Sequence, residues 1–197
     1  MSQDRRVVAL HEHAAANLHY IRETMERAGS FTAVPGWGGV LMGLCGLAAA
    51  VIGWPHQGTR TWLWVWLAAA AVATACGAVA MALKMRAKGL PALSRPARQF
   101  GLSFAPPIFA GALLTIALAR TEALSLLPGV WLLLYGTAVV CAGTYSARIV
   151  PLIGVLFLFL GAIAILSSGA VAQVCLGLGF GLLHLVFGAI IARNYGG

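Results

Sequence analysis

Six stretches of the chain contain no Asp, Glu, Lys or Arg: Trp37–Trp54, Thr61–Leu83, Gly101–Ala119, Ala123–Tyr145, Ile149–Leu166 and Ala170–Ala192. A helix that crosses about 30 Å of hydrocarbon needs roughly 20 residues, with about 17 to 25 tolerated. All six stretches meet that length. One charge at the centre of such a helix would cost about 2.5 to 3.5 kcal/mol on insertion scales, so its absence six times over fits lipid as the surrounding solvent. Composition agrees. Of 197 residues, 60% are hydrophobic and 9% charged, against roughly 45–50% and about 25% in soluble domains. The expected fold is all-α: a polytopic membrane helix bundle with six transmembrane helices over residues 35–197. Residues 1–34 precede it as an amphipathic cytoplasmic helix and linker.

The joints carry breakers and charge. Trp54-Pro55-His56-Gln57-Gly58 closes the first span with a turn. Ser167-Ser168-Gly169 is short enough to make the last two spans antiparallel neighbours, and Lys84–Arg98, with Pro91 and Pro96, reads as an irregular basic loop. With six spans, the N-terminal segment, that loop, Arg148 and Arg193 share one side and leave only Arg60 and Arg120 on the other. The positive-inside rule then puts both termini in the cytoplasm. Trp37, Trp54, Trp62, Trp64 and Tyr195 lie near span ends, where interfacial aromatic belts form. Abundant Ala and Gly with few Lys suggests a GC-rich bacterial source, hence a bacterial inner membrane. The net charge of +8 sits between apolar segments rather than on one soluble face, which argues against nucleic-acid binding. No cleavable leader is expected, because the first 30 residues lack a long apolar core.

The N-terminal segment differs in kind. Val7, Leu10, Ala14, Leu18, Ile21, Met25 and Ala28 recur every three or four residues, the apolar stripe of an amphipathic helix. Its polar face carries Glu12, His19, Glu23 and Glu26, and its charges cancel. A basic face would favour anionic lipid; this one suits docking on protein through Leu10, Leu18, Ile21 and Met25.

Within the spans, Pro35-Gly36 with Gly43 and Pro128-Gly129 with Gly136 share one spacing, and Gly101-Leu102-x-Phe104 echoes Gly177-Leu178-x-Phe180. Together they suggest two inverted three-helix halves, a design known among transporters. Gly39-x-x-x-Gly43 and Gly177-x-x-x-Gly181 are spacings that allow close helix approach, expected here inside the molecule. Pro106-Pro107 should break or kink the third span.

His184 is the one ionisable side chain deep in a span, and such a group is a functional candidate by default. It could bind a cofactor, relay a proton or glue helices together. A bis-histidine haem would need a second buried His, which only a symmetric dimer could supply. Gln173, Tyr135 and Thr137 could line a substrate path with it, or these groups and Thr115 and Thr144 could pair across helices. Cys45, Cys76, Cys141 and Cys175 fall in four different spans without paired spacing, so they read as packing residues and no metal or disulfide is expected. His11, Glu12, His13, His19 and Glu23 read as a solvated face. Ser167 and Ser168 lie roughly 24 Å from His184 along one helix axis, too far for a catalytic dyad. No nucleotide loop, carboxylate pair or catalytic motif appears.

A non-enzymatic membrane protein without a cofactor is therefore expected, a complex subunit or regulator whose N-terminal helix docks a protein partner or a second copy. The alternative is a small uncoupled transporter or channel with a polar site near His184.

Overall fold

The computed structural model describes residues 17, 18, 20, 21, 34–87, 89, 95–147, 149–167 and 169–194. The chain divides into two compact units, Met1–Ser30 and Phe31–Gly197. In the first, the described residues Asn17, Leu18, Tyr20 and Ile21 are helical and exposed. In the second, six helices are long and apolar enough to cross a membrane. They are α1 (Gly36–Gly53), α2 (Arg60–Ala87), α3 (Arg95–Arg120), α4 (Leu127–Gly143), α5 (Ile149–Leu166) and α6 (Ala170–Asn194). Short 3-10 turns extend α1 through Trp54–His56 and lead into α4 through Leu124–Leu126.

One expectation is corrected and another is narrowed. The basic joint Lys84–Arg98 is not a loop throughout, since α2 runs on to Ala87 and α3 begins at Arg95. Lys and Arg are good helix formers. Lys84 and Arg86 occupy the last turn of α2, where cations complement the helix dipole, and Pro96 sits in the first turn of α3, where its missing N–H costs nothing. Pro106 and Pro107 do not end α3, which continues through both to Arg120. Each proline withholds one N–H and releases a carbonyl, of Leu102 and Ser103, and membrane helices tolerate this where other groups can cover the carbonyls.

Two antiparallel helix pairs organise the bundle, and both are built on glycine. In α1 and α6, Gly36 meets Ala192, Val40 meets Gly188, Gly43 meets Leu185 and Leu47 meets Gly181. In α4 and α5, Gly129 meets Ile165, Leu133 meets Gly161, Gly136 meets Leu158, Val140 meets Gly154 and Gly143 meets Pro151. Glycines recur at seven-residue intervals on all four helices, so they return to one face every two turns. The approach is backbone to backbone. A Cβ built at Gly43 would lie 2.7 Å from the Leu185 nitrogen, and one at Gly136 would lie 2.8 Å from the Gly154 oxygen. The shared spacing after Pro35 and Pro128 thus has a packing cause, because Gly36 and Gly129 each open a seam. Gly101 and Gly177 share no such role: Gly101 has nothing within 4 Å, whereas Gly177 faces Ala50. The last two spans reverse at Gly169, whose φ of +57° is a backbone state that a residue with a Cβ rarely adopts.

The core lies between these pairs. Leu127 and Leu132 of α4, Phe157 of α5 and Leu176 of α6 are fully buried. Helix α2 is fully buried only near its ends. Trp62, Leu63 and Trp66 are buried in its first two turns and Lys84 and Met85 in its last, with no buried residue between. At that far end Met85 packs with Val34, Met81, Ala97 and Phe100, which brings α2 against the start of α3. Lys84 Nζ donates to the Val34 carbonyl at 2.9 Å, just ahead of α1.

The seams make a direct test. Gly43→Ala and Gly136→Ala should each lower stability by about 1 to 3 kcal/mol, since the added methyl meets backbone that cannot turn aside. Gly101→Ala should instead be neutral or raise stability by about 0.5 to 1 kcal/mol. Thermal unfolding in a mild detergent reads all three. Equal behaviour of the three variants would show that the seams do not hold the bundle.

Candidate functional site

The polar groups of the spans begin with a backbone problem. Helix α1 tightens at its end: the Trp54 N–H turns to the Val51 carbonyl, and the Ala50 carbonyl loses its usual partner. A carbonyl without a donor is costly in hydrocarbon. Gln173 of α6 covers it, its Nε2 donating to Ala50 at 3.2 Å, while its Oε1 accepts from Trp62 Nε1 at 2.8 Å. Gln173 is 2% exposed and Trp62 likewise, so one amide joins α1, α2 and α6. Trp62 is therefore a core residue and not a belt residue, which corrects the reading from its place near a span end. Trp37, Trp54 and Trp64 are exposed.

Helix α6 reaches His184 through a π-helical segment, Gly177–Leu183. Three glycines in its first five residues let this wide turn pack on two sides. Gly179 faces Leu132 and Phe157, and Gly181 faces Leu47 of α1. Single π turns within α-helices often accompany functional positions. Here the turn delivers His184 to Tyr135 of α4, whose hydroxyl lies 2.8 Å from Nε2. Nδ1 makes a longer 3.4 Å contact with the Gly179 carbonyl. A carbonyl can only accept, so this geometry puts the hydrogen on Nδ1, and Tyr135 donates to Nε2.

A third pair stands apart from these. Trp131 Nε1 donates to Thr115 Oγ1 at 2.8 Å, and Thr115 donates to the Gly111 carbonyl at 2.7 Å. Of the expected path residues, His184 and Tyr135 are brought together, Gln173 is engaged elsewhere, and Thr137 bonds the Leu133 carbonyl one turn back on its own helix. Thr144 likewise returns to the Cys141 carbonyl.

Aromatic rings fill the space among these pairs. Trp62 stacks on Trp131 with centroids 5.4 Å apart, Trp66 contacts Trp131 and Phe180, and Phe180 packs on Tyr135 at 5.2 Å. Tyr135 continues to Phe104, which stacks on Phe100. Phe157 and Phe180 also flank His184. This ladder runs from the first turn of α2 to the first turns of α3, which are opposite ends of the bundle. Sequence reasoning passed over it. The available signal was Trp62 with Trp66, one helical turn apart, followed by Trp131 and Tyr135, also one turn apart. Trp66 is the exception to the pairing of polar groups: its Nε1 is buried and has no hydrogen-bond partner among the described residues.

Cys45, Cys76, Cys141 and Cys175 are free thiols. Among the described residues, no group of three or more His, Cys, Asp and Glu side chains could hold a metal ion. Of the docking candidates, Leu18 and Ile21 are 68% and 51% exposed, while Leu10 and Met25 lie outside the described residues, as do His11, Glu12, His13, His19 and Glu23.

Two tryptophans one turn apart allow a controlled comparison. Trp62→Phe and Trp66→Phe remove the same volume, but only the first leaves Gln173 Oε1 without its donor. Trp62→Phe should therefore be the less stable by about 1 to 3 kcal/mol, the cost of a buried unmet polar group. Equal melting temperatures in detergent would show that the Gln173 bridge contributes nothing.

No protein-family model, curated protein or solved structure matches the chain.

Proposed function

We propose that this is a non-enzymatic multi-pass protein of a bacterial inner membrane that acts as a subunit or regulator of a membrane complex. Both termini face the cytoplasm, and the N-terminal amphipathic helix docks a partner. The observation that supports the reading is that, apart from the Trp66 indole, the polar side chains described in the interior are spent on one another or on carbonyls. Gln173, His184, Tyr135 and Thr115 each meet another side chain or a carbonyl, and rings fill the space around them. That leaves the surfaces to carry the activity.

The surface of α2 supports the same conclusion. Ala68, Ala71, Ala75, Ala78 and Ala82 are all exposed and recur every three or four residues. Small side chains on one face allow a neighbouring helix to approach closely, which is how this chain pairs its own helices. The first unit adds Leu18 and Ile21, apolar and exposed.

The specific observation that favours the alternative, a small uncoupled transporter with a polar site at His184, is the π segment directly before that residue. Flux through reconstituted protein separates the two readings. The preferred one expects no ion or small-solute flux above protein-free vesicles, and the alternative expects flux that His184→Ala abolishes.

The docking itself is tested by Leu18→Asp with Ile21→Asp. The double variant should lose at least about tenfold of any co-purifying partner, as two buried apolar side chains contribute more than the 1.4 kcal/mol per decade this requires, while the bundle melts unchanged. A complex that survives the change rules out this helix as the docking element. Cysteines introduced at Ser2 and Gly196 should both react only with reagent admitted to the cytoplasmic side. Labelling on opposite sides would remove the even-span topology.

A further inference from the structure

Beyond Leu47 and Gly181 the glycine seam between α1 and α6 gives way to Val51, Trp54 and Val174, and the helices leave a groove of about 420 Å3 between them. Its lining is apolar apart from Gln173. The size falls within the roughly 300 to 1,000 Å3 of small-molecule sites. From Trp54 at the end of the span to Leu47, the groove descends seven residues, or about 10 Å at 1.5 Å each. With the end of α1 taken as the headgroup boundary, the groove would start at the depth of the ester groups and run into the acyl region.

The mouth has the opposite character. His56 and Arg60 are exposed, and the segment from Trp54 to Trp62 contains no Asp or Glu. Arg60 is the first residue of α2; Thr59 Oγ1 caps the Trp62 N–H at 3.3 Å, and the positive end of the helix dipole adds to the Arg60 charge in favouring an anion. The Trp62–Gln173 hydrogen bond, at 2.8 Å, fastens that first turn of α2 to the polar end of the groove. In the same layer lies the unmet indole N–H of Trp66. It is 3.3 Å from where a Gly53 side chain would begin, and Gln173 Nε2 is 3.5 Å from that same point. Trp66 lies behind the groove and not on it, but Gln173 lines it, and its amide nitrogen, with one hydrogen given to Ala50, has a second to offer an ester oxygen of a lipid.

We propose that the groove between α1 and α6 is a binding site for an anionic phospholipid, with one acyl chain along Leu47, Val51 and Val174, its ester group at the level of Gln173, and its phosphate at Arg60 and His56. The site is independent of the partner-docking reading, since it uses neither the N-terminal segment nor the face of α2.

The experiment is native mass spectrometry of the purified full chain given equal amounts of phosphatidylglycerol and phosphatidylcholine. The wild-type protein should retain phosphatidylglycerol over phosphatidylcholine by about fivefold, the effect of roughly one basic side chain at a membrane surface. Arg60→Gln should remove that preference without changing the melting temperature. Val174→Trp should lower retention of both lipids about tenfold by filling the groove, an effect equal to uncovering about two methylenes. Val51→Trp, at a position 74% exposed, should do the same and decides the matter if Val174→Trp does not fold. Equal retention of the two lipids by the wild type, or undiminished retention by a folded groove-filling variant, would reduce the lipid to the ordinary annulus and overturn the proposal.

Discussion

Close approach of backbones through glycine is the interaction on which this bundle rests. In water, helices associate because burying apolar surface is favourable. In hydrocarbon that gain vanishes, since lipid tails are as apolar as Leu, and association depends on packing and hydrogen bonds. Gly36, Gly43, Gly181 and Gly188 join α1 to α6, while Gly129, Gly136, Gly143, Gly154 and Gly161 join α4 to α5, each seam antiparallel and in constant register. Once the two pairs are formed, Gly179 sets α6 against Leu132 and Phe157, and the aromatic interior closes around that contact.

The second constraint is that backbone groups released in the membrane must be met within the protein. Polar side chains of the spans bond to backbone carbonyls and to one another. Gln173 covers the carbonyl that α1 frees as it tightens at Trp54. Thr115 turns to the Gly111 carbonyl while accepting the indole of Trp131. His184 sits after a π turn and shares its nitrogens between Tyr135 and a carbonyl of that turn. These groups act as links between helices. With these groups so committed, the exposed features of the chain are the small-residue face of α2, the groove beside Gln173, and Leu18 and Ile21 of the first unit.

Much of the architecture was legible because the physics behind it is local. Apolar length marked all six spans, and the structure moves their ends by only a few residues, mostly outward, as at Arg95 and Ala87 where basic side chains prolong helices beyond the apolar window. The site was half legible. His184, Gln173 and Tyr135 stand out in sequence because polar groups are rare in lipid, yet nothing local reveals that His184 meets Tyr135 while Gln173 meets Trp62, 111 residues away. Trp62 shows the limit plainly. Its place near a span end suggests an interfacial anchor, but its helical face turns it inward to Gln173 and Trp131.

What the chain determined by itself is its solvent and its periodicity. Stretches without charge exclude water, and glycines at intervals of seven mark faces able to pack closely. What only the tertiary structure decided is which of those faces meet. Any glycine face could in principle receive any other, because the motif is nearly the same on α1, α4, α5 and α6. Pairing α1 with α6 and α4 with α5 depends on the whole set of contacts at once, and from that pairing follow the partners of Gln173 and His184, the ring ladder and the groove.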